Sequence, residues 1–82
     1  MNIVEDNAIE EIFEKLHVFK EGDAMLNVKN RFSGASVTLT PKAEAMYSFI
    51  IGCELYGHWD DMRLGIDWFR ENYPKEYMIL LD

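Results

Sequence analysis

The chain has 82 residues, which holds it to one domain spanning 1–82. Apolar residues make up 49% and aromatics 13%, enough for a packed core and unlike a disordered chain. Fifteen Asp and Glu against eight Lys and Arg leave a net charge of −7, which argues against general affinity for nucleic acid or anionic membranes.

Residues 7–21 predict an amphipathic helix, because Ile9, Ile12, Phe13, Leu16 and Phe19 recur at the spacing that forms one apolar stripe. Asn7 is its expected cap, with Glu10 three positions on, and Gly22 its expected stop. Residues 24–40 change period. Leu26, Val28 and Phe32 sit at even positions, and Ala35, Val37 and Leu39 at odd ones, on either side of Ser33-Gly34. That alternation predicts a β-hairpin. A two-residue Ser33-Gly34 loop would place Phe32 opposite Ala35, Val28 opposite Leu39 and Lys29 opposite Thr38, with Asn30 opposite Val37 as the one mismatch. A four-residue loop from Ser33 to Ser36 keeps the same parity, whereas three residues would scramble the faces.

Thr40-Pro41 then reads as N-cap and first helical position, where the missing proline N–H costs nothing. The helix should run to about Tyr56 and end at Gly57, with Met46, Phe49, Ile50 and Cys53 inward and Tyr47, Ile51 and Leu55 widening the apolar face. Asp60 or Asp61 is the expected cap of a helix over 61–72, whose inward residues are Met62, Ile66 and Phe69, with Trp68 and Tyr73 beside them. Pro74 interrupts, and Lys75 to Leu81 has the size of a last short helix. The expected fold class is α+β: an N-terminal helix, a two-stranded antiparallel β-hairpin, then two to three packed helices. A lone hairpin is marginal in water, so its apolar face must lie on those helices.

Several chemistries lack their residues. One cysteine, Cys53, excludes an internal disulfide framework and a four-Cys zinc site. There is no Walker loop, G-x-G-x-x-G, H-E-x-x-H or C-x-x-C pattern, so no cofactor or metal is expected. Cys53, His58, Asp60 and Asp61 contain ligating atoms, but their spacing matches no zinc pattern, and Asp60 and Asp61 serve better as a cap. A thiol on an apolar stripe is desolvated and inert, His17 reads as a surface side chain, and Ser33, Ser36 and Ser48 have no nucleophile elbow. No catalytic residue is therefore expected. No run of 18 apolar residues spans a membrane, and the first six residues lack the layout of a signal peptide. With a free thiol, that makes the (host cell) cytoplasm the expected location.

Charge is unevenly spread: residues 1–23 carry −5, residues 24–42 carry +3 and residues 43–82 carry −5. Lys29 and Arg31, projecting beside Ser36, Thr38 and Thr40, are candidate phosphate or RNA contacts, or else ordinary protection of an exposed sheet edge. The acidic residues Glu10, Glu11, Glu14, Asp60, Asp61, Asp67 and Glu71 are candidates for a partner-binding face that occupies a basic groove. Trp59, Tyr73 and Tyr77 are the candidate aromatic anchors of such an interface, and the run from Tyr73 to Asp82 is the favoured place for one. Residues 41–72 can also be drawn as a helix-turn-helix, but Asp60, Asp61, Asp67 and Glu71 would then face phosphates.

Two resemblances follow. Phe49, Tyr56, Gly65 and Phe69 have the spacing of the key positions of a tetratricopeptide repeat, so residues 47–69 resemble one degenerate repeat. That implies two helices in close contact at Gly65. Thr38-Leu39-Thr40-Pro41-Lys42-Ala43, Trp68-Phe69-Arg70 and Tyr73-Pro74-Lys75-Glu76-Tyr77-Met78 resemble the tail module of short uncharacterised proteins from phages and mobile elements. That class is rich in small acidic inhibitors, including anti-CRISPR proteins. The resemblance implies a non-catalytic protein, monomeric or dimeric, that binds and inhibits a host nucleic-acid-handling complex such as an RNA- or DNA-guided nuclease, without tight nucleic-acid binding of its own. The alternatives are a small regulator contacting RNA or DNA through the basic hairpin, and a structural component that self-associates through its aromatic C-terminus.

Overall fold

The computed structural model of the chain describes residues 3–16 and 25–81. Along them run α1 (Ile3–Lys15), β1 (Leu26–Lys29), β2 (Ser36–Leu39), α2 (Pro41–Tyr56), α3 (Trp59–Asn72) and α4 (Pro74–Leu80). The architecture is α+β, with an N-terminal helix, a two-stranded antiparallel hairpin and three packed helices.

Capping chemistry explains the helix limits. Thr40 takes an extended conformation and its hydroxyl accepts from the Ala43 N–H at 3.2 Å, with Pro41 at the first helical position. At the other end Gly57 has φ 72°, and the Gly57 and His58 N–H groups return to the Glu54 and Cys53 carbonyls, the bond pair of a Schellman motif. That motif also corrects the start of α3. By turning the chain at Gly57 it puts His58, not Asp60 or Asp61, at the N-cap position, and α3 begins at Trp59. Asp60 and Asp61 fall in the first turn instead, where carboxylates complement the helix dipole. Helix α1 differs too. Nothing in Ile3-Val4-Glu5-Asp6 breaks a helix, so Asn7 lies inside α1 rather than capping it. His17, Phe19, Glu21 and the expected stop at Gly22 lie outside the described residues.

The hairpin keeps the expected parity and shifts by two residues. Leu26 pairs with Leu39, Asn27 with Thr38, Val28 with Val37 and Lys29 with Ser36. The turn is the four-residue loop Arg31–Gly34, closed by Asn30 N–H to the Ala35 carbonyl at 2.7 Å. Asn30 selects it. Its Oδ1 accepts from the Phe32 and Ser33 N–H groups at 2.7 and 3.0 Å, while its Nδ2 donates to the Ile79 carbonyl of α4 at 2.8 Å. Gly34 supplies the left-handed residue, φ 81°. Phe32 and Arg31 therefore lie in the turn, not on the strand faces, and the mismatch of Asn30 with Val37 disappears.

Packing follows from these registers. Leu39 is buried, and Val28 and Val37 lean on the same cluster, with Ala43, Met46 and Ile50 of α2, Phe69 of α3, Leu80 of α4, and Ile12 and Phe13 of α1. Each of the buried Leu, Ile, Met and Phe side chains among them contributes about 1.5–3 kcal/mol by burial. At Gly65 a Cβ would lie 2.8 Å from Ile50 Cγ1, so the bare glycine sets the approach of α3 to α2, as the repeat-like spacing implied. Phe13 meets Trp68 edge-on at 5.1 Å and ties α1 to α3. Leu55 departs from expectation, being 70% exposed, and so does Tyr56 of the repeat-like set, at 80%.

Candidate functional site

The exposed apolar side chains are not evenly scattered. Leu55 and Tyr56 end α2, and Trp59, 63% exposed, begins α3, so three large side chains meet solvent around one turn. The Schellman turn makes this corner. It stops α2 with Leu55 and Tyr56 turned away from the core residues Ile50 and Cys53, then starts α3 with Trp59 outside. The Trp59 indole folds back over the turn, its Nε1 lying 3.9 Å from where a Cβ at Gly57 would stand. The Tyr56 and His58 rings lie 6.3 Å apart. Asp60 and Asp61 are exposed beside them, and Gly57 to Asp61 line a shallow concavity of about 370 Å³. Large apolar groups held in water beside carboxylates suit a partner surface that is apolar at its centre and basic at its rim.

The other candidate residues divide. Glu10, Glu11 and Glu14 are exposed on α1, and Glu71 on α3. Asp67 shares with Asp60 and Glu71 the seven- and four-residue spacing of one helix side, but it accepts from Arg70 at 2.9 Å. Of the aromatic anchors, Trp59 alone is mostly exposed. Tyr73 packs 5.8 Å from both Trp68 and Phe69, and its hydroxyl meets Thr40 Oγ1 at 3.1 Å, which makes it a strut between α3 and the start of α2. Tyr77 is half-buried, with the Arg70 guanidinium 5.9 Å from its ring. The C-terminal run thus turns Met78 and Ile79 outward while Leu80 enters the core.

The basic ribbon is also rearranged. Arg31 leaves the strand for the turn, where its Nη2 donates to Glu54 at 2.9 Å and its guanidinium sits 4.9 Å from the Phe32 ring. Lys29 stays on the polar face of β1, and Lys42 lies over Phe13 at 4.7 Å. The three cations therefore do not converge on one ligand. Cys53 is buried, and desolvation, then the nearby Asp61 carboxylate, pushes its thiol above the usual range, away from thiolate chemistry. Among the described residues no three His, Cys, Asp or Glu side chains gather at metal-binding separations, and no helix is long and apolar enough to cross a membrane. Leu55 and Tyr56 are the site residues that sequence reasoning missed. The available signal was that α2 is apolar on more sides than one small core can cover.

Compared with protein-family models, curated proteins and solved structures, the chain matches none.

Proposed function

We propose that this protein is a non-catalytic binding module that docks its α2–α3 corner on a basic, partly apolar surface of a nucleic-acid-handling protein and inhibits it by occupying that surface. One observation carries the reading: Leu55, Tyr56 and Trp59 stand in solvent beside Asp60 and Asp61. Tyr and Trp are the side chains that most often dominate interface energetics. Neighbouring carboxylates select a basic partner and speed its capture, and basic grooves are what proteins that grip phosphates present. The narrowest form of the proposal makes the partner a host RNA- or DNA-guided nuclease, and it rests on the resemblance of the C-terminal half alone. The separation of Lys29, Arg31 and Lys42, which do not converge on one ligand, disfavours the alternative in which the hairpin grips RNA.

The test is capture from a host lysate with the full chain as bait, followed by binding measurements on the captured protein. Trp59→Ala is expected to weaken binding at least about thirtyfold, a cost of about 2 kcal/mol or more. Asp60→Lys with Asp61→Lys should abolish it, RNA or DNA should compete with it, and rising salt should weaken it. Affinity indifferent to salt and to both reversals would overturn the proposal.

A further inference from the structure

The turn of the hairpin, the end of α2, the middle of α3 and the end of α4 enclose a groove of about 280 Å³. Its floor includes Ile51, Met62 and Ile66, all half-buried, and its rim carries Arg31, Phe32 and Glu54. Ligand pockets usually run about 300–1,000 Å³, so this one is sized for a large side chain rather than a cofactor. Beside it stands a side chain of that size. Phe32 lines the groove yet is 86% exposed, the most exposed large apolar residue among those described. An apolar knob next to a hole with apolar side chains at its floor, both on one surface, is what a two-fold interface requires, since each copy must present both halves.

We infer that this face pairs with a second copy of the chain, each Phe32 entering the groove of the other. The rim is locally neutral, which fits a second copy better than an acidic or basic stranger. The rim holds one cation and one anion, Arg31 and Glu54, 2.9 Å apart and each more than 40% exposed at its side chain. About a two-fold axis, Arg31 of each copy faces Glu54 of the other, so the pairs exchange without leaving a charge unmatched. Size sets the strength. Two phenyl groups and the linings they cover amount to roughly 600–1,000 Å², below the ~1,200–2,000 Å² of stable complexes, so the dimer is transient.

Sedimentation velocity of the full chain between about 1 μM and 1 mM tests this. The expected result is a weight-average mass rising with concentration from 9.6 kDa toward twice that value. Phe32→Asp should hold the protein monomeric with an unchanged thermal transition, because the side chain it replaces is exposed. Arg31→Glu and Glu54→Arg should each be monomeric alone, and a mixture of the two should form a heterodimer. Salt should strengthen pairing by screening the −7 carried by each copy, the opposite of its expected effect on a basic partner, so the two proposals fail separately. A monomer at every concentration, or a Phe32→Asp chain that dimerises like the parent, would overturn the inference.

Discussion

Gly52 and Gly65 lie in consecutive helices, and adding one methyl group has opposite consequences at the two positions. At Gly52 a Cβ meets nothing within 4 Å, so Gly52→Ala should stabilise by about 0.5–1 kcal/mol through helix propensity alone. At Gly65 the same carbon comes within 2.8 Å of Ile50 Cγ1 and 3.2 Å of Met46 Sδ. The Ile50 branch is close to its own backbone and cannot swing aside, so α2 and α3 must part. Overpacking of about 1–3 kcal/mol then exceeds the propensity gain, and Gly65→Ala should lose about 1–2 kcal/mol in urea unfolding. Cys53 supplies a pH dependence. Its folded thiol titrates above the ordinary value of 9.0, so the associated stability is complete below that pH and is lost as pH rises through the folded value. Unfolding midpoints should fall between about pH 8 and about pH 10 in the parent chain, and less steeply in Cys53→Ala.

The hairpin separates what an element carries in itself from what it receives. Alternation in residues 26–39 is local, and it was enough to sort Leu26, Val28, Val37 and Leu39 from Lys29, Ser36 and Thr38. Register was not legible, because loops of two and four residues preserve the same parity. The choice is made by Asn30, whose amide donates to a carbonyl forty-nine positions on, in α4. Asn30→Ala removes both turn bonds and that clamp, and should cost about 1–2 kcal/mol, with faster hydrogen exchange at Gly34 N–H. The start of α2 was legible throughout, since an N-cap needs only its own next three residues. Thr40→Ala should cost about 1–2 kcal/mol. Thr40→Ser should retain the cap, and Tyr73→Phe alone should reveal the smaller share of the contact between the two hydroxyls, about 0.5–1.5 kcal/mol, by chemical denaturation.

For the molecule as a whole, charge and exposed apolar surface divide the labour. Two acidic blocks were plain from the sequence, but the cations between them separate on folding: Arg31 is taken by Glu54, and Lys42 lies over Phe13. What the molecule presents to solvent is then an acidic body with an aromatic corner. Free RNA or DNA should show no mobility shift with the protein alone at physiological salt. Association with a basic partner should slow as salt rises, and Asp60→Asn with Asp61→Asn should flatten that dependence while slowing association.

By itself the sequence determined the α+β order of elements, the capping of α2 at Thr40 and Gly57 and the faces of the hairpin. All of these rest on interactions within a few residues or on strict periodicity. Tertiary structure decided the rest. Leu55 and Tyr56 belong to a helix that is apolar nearly all round, and only the placement of α3, the sheet and α4 determines which of its sides is covered. Tyr73 became a strut rather than an anchor because Thr40, distant in sequence, stands where its hydroxyl ends. Burial is a property of neighbours, and in a chain this short there are too few of them to cover every apolar side.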